Sequence, residues 1–67
     1  MESMKWTLEA IRVRMGYTRA EMADALGIKL DRYNRLANGE SRMFAEELVA
    51  LHKVSNVPYE DIEITSQ

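Results

Sequence analysis

The 67-residue sequence predicts an all-α domain of five short helices. Three observations carry that expectation. Apolar residues recur at helical rather than alternating spacing, as in Leu8, Ile11 and Met15. Helix-start and helix-stop residues bracket the apolar runs, most clearly Thr18-x-x-Glu21 before one and Asn38-Gly39 after another. No stretch of strand character exceeds four residues, and there are no repeats, low-complexity tracts or linkers. Residues 1–67 are therefore expected to form one domain. A chain this short buries only ~60% of its unfolded surface, so helical packing or a dimer partner would help to stabilise it.

Met1 to Lys5 reads as a loose end, with Met4 an alternative start. Trp6, the single tryptophan, is expected to staple against the first helix or the C-terminal region, with base stacking the lesser alternative. Thr7 caps a helix over Leu8–Met15, and Gly16 ends it. Tyr17 is an apolar plug before Thr18, which opens the second helix. There the threonine hydroxyl accepts from the Glu21 N–H, and the Glu21 carboxylate reaches back to the Thr18 N–H. This helix runs from Arg19 to Leu26, where Gly27 supplies the positive φ that ends a helix without Cβ strain. A third helix starts near Leu30 and stops before Asn38-Gly39, and Glu40 to Met43 is a short loop. The fourth runs from about Phe44 to Ser55, with Phe44, Leu48, Leu51 and Ser55 in one row and Ala45, Val49 and His52 beside it. Asn56 stops it and Val57 tucks back into the core. Pro58 suits the first turn of a fifth helix of one to two turns, reaching about Ile62. Ile64 is left to pack in trans, before a loose Thr65-Ser66-Gln67 end.

With no cysteine there is no disulfide framework and no thiolate metal site. No apolar run approaches the ~20 residues of a membrane span, and there is no signal-peptide core, so a cytoplasmic protein is the expectation. His52 is the only histidine; without a nearby nucleophile or ligand set it marks neither catalysis nor a metal site, and no cofactor is expected. Glu60, Asp61 and Glu63 lack the loop glycine and ligand count of a calcium motif and read as a solvated acidic end.

The formal net charge is −2, which by itself argues against nucleic acid. Its distribution argues for it. Between Ile11 and Met43, Arg12, Arg14, Arg19, Lys29, Arg32, Arg35 and Arg42 oppose Glu21, Asp24, Asp31 and Glu40, a balance of +3. From Phe44 onward, Lys53 opposes Glu46, Glu47, Glu60, Asp61 and Glu63, a balance of −4. A molecule polarised in this way is steered onto DNA in one orientation, although its low total charge predicts weak non-specific binding at physiological salt.

The second and third helices with the turn between them form either a plain helical hairpin or a DNA-reading helix-turn-helix. Met22, Leu26, Ile28, Tyr33 and Leu36 give the two helices a common apolar side, and Ala23 is small where they must cross closely. The outward positions of the third helix, Lys29, Asp31, Arg32 and Arg35, are polar and mostly basic. Arg19 and Lys29 place cations at the positive ends of two helix dipoles, which costs roughly 0.3–1 kcal/mol each unless an anion such as phosphate docks there or the side chains extend into solvent.

This stretch resembles the helix-turn-helix of the phage repressor and Cro family, also called Xre-like. The residues that match are Ala23, Gly27, Tyr33, Leu36, Asn38 and Gly39, with Leu8 to Thr18 similar to the family's first helix and its exit, Arg12, Gly16, Tyr17 and Thr18. Leu48 to Ile62 resembles the closing helices, so the likeness spans about residues 5–64. It implies a five-helix lambda-repressor-like domain that regulates transcription from a palindromic operator in double-stranded DNA, as a homodimer. By position in the family pattern, Lys29, Leu30, Asp31, Arg32 and Arg35 would face the DNA. Lys29 and Arg32 are placed to donate to guanine O6 and N7. Leu30 either touches a thymine methyl or packs internally, and Asp31 either accepts from cytosine or complements the helix dipole. Arg35 reads a base or clamps a phosphate, while Arg19, Asn38 and Arg42 are candidates for the DNA backbone. The family's arginine at the position of Arg12 pairs with a glutamate where this chain has Ala37, so Arg12 must turn to Glu40, to backbone carbonyls or to DNA. The usual Ser/Thr cap of the third helix is replaced by Lys29. Val57, Pro58, Tyr59, Ile62 and Ile64 are the apolar residues left over for a dimer surface. The competing expectation is an interaction module of the same fold that binds a partner repressor or toxin, supported by the acidic net charge, by Leu30 and Asp31 at reading positions and by the missing arginine pair.

Overall fold

A computed structural model describes residues 5–63. Its elements are α1 (Leu8–Met15), α2 (Arg19–Leu26), α3 (Leu30–Ala37), α4 (Ala45–Ser55) and a single 3-10 turn, Tyr59–Asp61. Met1 to Met4, Thr65 to Gln67 and the trans packing of Ile64 lie outside the described residues; Lys5, expected to be part of the loose end, is described, and its Nζ donates to the Glu60 carbonyl at 2.9 Å.

Local chemistry sets the helix boundaries. Thr7 Oγ1 accepts from the Ala10 N–H at 3.1 Å and starts α1. At α2 the reciprocal box is complete: Glu21 N–H donates to Thr18 Oγ1 at 3.1 Å, and Thr18 N–H donates to the Glu21 carboxylate at 2.8 Å. Gly27 closes α2 at φ 74°. A Cβ built on Gly27 meets nothing within 4 Å, so only backbone strain opposes substitution there. Gly27→Ala should therefore lower the unfolding free energy by about 1–2 kcal/mol without moving its neighbours. Urea denaturation measures this, and an unchanged midpoint would show that the turn tolerates another conformation. Asn56 ends α4 in the same left-handed region at φ 65°.

The apolar rows meet in one core of Leu8, Ile11, Met22, Ala23, Leu26, Tyr33, Leu36, Leu51, Val57 and Ile62. α2 packs against both α3 and α4, and α1 touches α3. Ala23 is 2% exposed, in keeping with the close crossing expected of it.

The count of five helices is corrected to four α-helices and one 3-10 turn among the described residues. Pro58 does open that turn, but the chain leaves it extended at Ile62, where ψ is 126°. The cause is a non-local pairing. Trp6 N–H donates to the Asp61 carbonyl at 2.6 Å, and Glu63 N–H donates to the Trp6 carbonyl at 2.8 Å. This parallel bridge ties the two ends of the described chain together and satisfies backbone groups that a longer helix would have paired internally. Trp6 thus staples the C-terminal region through its backbone, while its ring lies 4.9 Å beneath the Arg14 guanidinium of α1. Phe44 is the other correction: it precedes α4 as its N-cap and is 61% exposed instead of sharing the Leu48–Leu51 row. No helix among the described residues is long and apolar enough to cross a membrane.

Candidate nucleic-acid interface

α3 has one buried row and one exposed stripe. Tyr33 and Leu36 are buried, while Asp31, Arg35 and Asn38 recur four and three residues apart on the opposite side, all exposed. Leu30 borders the stripe at 45% exposure, so its apolar side chain is offered to the surroundings and is not packed away. Lys29 is exposed at the N-cap and makes no side-chain cap hydrogen bond, so no side chain of its own caps the first-turn N–H groups of α3. Arg42 is exposed in the loop that follows. Lys29, Arg35 and Arg42 form no ion pair among the described residues.

Arg32 is placed differently from the expectation that it reads guanine. It lies on the flank of α3, between the buried row and the exposed stripe, and turns toward α4. Its Nε and Nη2 donate to the two carboxylate oxygens of Glu47 at 2.8 and 2.9 Å. Nη1 donates to Ser41 Oγ at 2.7 Å, and Nη2 also donates to the Arg42 carbonyl at 2.9 Å. The Phe44 ring covers the guanidinium, 4.4 Å from its centroid. The Arg32 side chain is 17% exposed and that of Glu47 only 8%. Glu47 also accepts from the Phe44 N–H at 2.7 Å and so satisfies the start of α4. With four guanidinium N–H contacts made inside the fold, Arg32 has no free fork to present to a base.

A second polar cluster joins α1, α2 and α3. Arg12 Nε and Nη2 donate to Glu9 at 3.2 and 2.9 Å, and Nη1 donates to the Tyr17 carbonyl at 2.8 Å. Of the partners open to Arg12, the structure thus selects a backbone carbonyl and adds Glu9. The Tyr33 hydroxyl, on a fully buried side chain, donates to Glu9 at 2.7 Å. Arg19 donates to Asn34 Oδ1 at 2.8 Å and lies 3.4 Å from Glu9. Its side chain is 38% exposed, so it bridges α2 to α3 while keeping one side open. Glu9 therefore stands in for the glutamate missing at Ala37, but from α1 and not from the end of α3.

The pKa directions agree with this geometry. The Arg32 hydrogen bonds hold Glu47 below the usual carboxylate range against the opposing effect of burial. Arg12 does the same for Glu9, with Tyr33 assisting. Burial, then the Glu9 carboxylate, push the Tyr33 phenol upward.

At the C-terminal end, Val57 and Ile62 are in the domain's own core at 9% and 3% exposure, which withdraws them from a dimer surface. Pro58 and Tyr59 remain exposed, with the Tyr59 ring stacked on His52 at 4.2 Å. Ile64 is outside the described residues.

From the sequence, Glu9, Asn34 and Ser41 are given no functional role, and Glu47 enters only the charge balance. Two of them had a legible signal: Glu9 stands three residues before Arg12, and Glu47 occupies the third helical position, where a carboxylate reaches back to the cap N–H. Nothing local marks Ser41 or Asn34.

A family model described as helix-turn-helix matches residues 8–62. No curated protein and no solved structure matches the chain at a significant level.

Proposed function

We propose, on the premise that this chain belongs to the Xre-like helix-turn-helix family, that it is a sequence-specific regulator of transcription of the repressor/Cro type, phage or bacterial, binding a palindromic operator as a homodimer. DNA binding is the general property of the family; the specificity, the operator symmetry and the dimer are this reading's additions. The observation that carries it is the exposed Asp31–Arg35–Asn38 stripe on α3, flanked by Lys29 and Leu30 and continued by Arg42. In the major groove, the N-terminal part of such a helix reaches base edges. Lys29 is placed to donate to guanine and Leu30 to meet a thymine methyl. Arg35 reads guanine or clamps phosphate, and Asn38, Arg42 and the open side of Arg19 contact the backbone. Asp31 either accepts from cytosine or complements the positive end of α3. Two protomers would set their recognition helices about one turn, ~34 Å, apart, with Pro58 and Tyr59 as the apolar contribution of the C-terminal end.

The test is selection from a pool of genomic fragments at two salt concentrations, followed by titration of the enriched duplex. Arg35→Ala should weaken specific binding by about 1–3 kcal/mol and relax preference at one base position per half-site. Unchanged affinity and preference would remove Arg35 from the interface.

A second reading has one observation in its favour. The withdrawal of Arg32 into the fold leaves an exposed leucine and an exposed aspartate at the start of α3, a surface suited to another protein. On that reading the selection enriches no sequence even at low salt, and Arg35→Ala leaves partner binding nearly intact.

A further inference from the structure

We infer that Arg32 is a positioning residue of the recognition surface: it fixes the loop from Ser41 to Phe44, and with it the Arg42 side chain, against α3 without itself touching DNA. The inference rests on the DNA-binding reading and assigns a role that reading leaves open.

The geometry distributes the contacts of one guanidinium along the loop. Ser41 supplies its hydroxyl, Arg42 its carbonyl, Phe44 its ring face and Glu47, in the first turn of α4, its carboxylate. The loop's first turn is held separately, by Gly39 N–H to Leu36 and Glu40 N–H to Arg35. Beyond Glu40 the Arg32 contacts hold the loop on its polar side, while Met43 packs against the core on the other. Arg42 sits at the point where its backbone is held and its side chain is exposed. A backbone contact of that kind is productive when its Cα is fixed relative to the reading helix, because the cost of ordering the loop is then met by folding and not by binding.

Release of Arg32 onto a base is disfavoured by what it would leave behind. Glu47, 8% exposed, would keep only the Phe44 N–H, and the Ser41 hydroxyl and the Arg42 carbonyl would lose their donor. Lysine cannot replace the arrangement. Its ammonium is a point charge without a planar fork, and it cannot span a carboxylate, a hydroxyl and a carbonyl in one plane.

The experiment is a double-mutant cycle on the full chain, read by fluorescence anisotropy with the selected duplex and with an unrelated duplex, across a salt series. Arg42→Ala alone should weaken both duplexes by about tenfold and reduce the salt slope by about one. Arg32→Lys should weaken both duplexes alike, with no change in base preference. In the Arg32→Lys background, Arg42→Ala should cost less than about twofold, because the tether it depends on is already lost. Arg35→Ala, outside the tether, should stay additive with Arg32→Lys. Independent effects of Arg32 and Arg42, or a base preference altered by Arg32→Lys, overturn the inference while leaving DNA binding in place. Absence of any DNA binding by the unmodified chain at low salt removes the reading and the inference together. Circular dichroism at the assay temperature establishes that each variant is folded. Where Arg32→Lys is not, the cycle is read with Ser41→Ala, which removes one contact and spares the ion pair; a reduced Arg42→Ala effect in that background supports the tether, and additivity overturns it.

Discussion

Tyr33→Ala should unfold most of the protein at 25 °C. Tyr33 is the largest fully buried side chain, at 0% exposure, and it sits on the helix whose other face carries the exposed Asp31–Arg35–Asn38 stripe. Removing a buried aromatic ring costs about 3–5 kcal/mol through lost transfer energy and the cavity left behind. A 67-residue domain has roughly 3–10 kcal/mol in all, at 0.05–0.15 kcal/mol per residue, so the loss is comparable to the whole. The hydroxyl adds a second effect, since its donation to Glu9 at 2.7 Å links α3 to α1. Tyr33→Phe separates the two. The ring stays, Glu9 keeps Arg12, and the cost should fall to about 0.5–1.5 kcal/mol. Urea titration followed by far-UV circular dichroism measures both variants. A Tyr33→Ala midpoint within a few tenths molar of the parent would mean that the core can close over the gap and that α3 is not anchored where the structure places it. DNA affinity should track the folded fraction in both variants, because neither substitution touches the exposed stripe.

The helices were legible in the sequence because their ends are decided by neighbours in the chain. Thr7, Thr18, Gly27 and Asn56 act on groups two to five residues away, and each boundary they predict is observed at the residue or within one of it. The buried rows were legible for a related reason, since helical period fixes the direction of each Cβ. Arg32 shows where that logic stops. The period places its Cβ on the flank of α3, but a guanidinium on a long stem ends wherever its partners are, and Glu47 is fifteen residues further on. In the sequence, Glu47 enters only the negative charge balance from Phe44 onward, whereas in the fold it neutralises a cation of the basic segment. The reduction of the expected fifth helix to one 3-10 turn has the same origin. Pro58 is a valid local start signal, but the competing partner for this backbone is Trp6, more than fifty residues earlier. Helical period puts Phe44 in one row with Leu48 and Leu51, and the structure instead uses its ring as a cover over Arg32.

Glu47→Ala is the other large effect, and its value lies in the comparison with gentler changes at the same site. Truncation strands a guanidinium that is 17% exposed, removes the acceptor of the Phe44 N–H and should cost about 2–4 kcal/mol. Replacing both partners, as in Arg32→Met with Glu47→Leu, should recover most of that loss, because the desolvation of two charges disappears with their attraction. Acid titration supplies an independent check. Glu47 and Glu9 both titrate below the ordinary carboxylate value of 4.5 in the folded chain. Stabilisation from a carboxyl depressed in the folded state is complete above its unfolded pKa and is lost as pH falls through the folded one. Stability should therefore be level at neutral pH and decline as the pH drops below about 4.5. Glu47→Gln should start lower at pH 7 and decline less steeply, with Glu9 left as the depressed carboxyl. Parallel curves for the two proteins between pH 7 and 3 would show that the Glu47 carboxylate is not the partner that holds Arg32. The doubly apolar variant then separates holding from placing. It should approach the parent's stability, yet it offers nothing to Ser41 or the Arg42 carbonyl, so on the proposed reading it should fold normally and still lose the part of the salt slope assigned to Arg42.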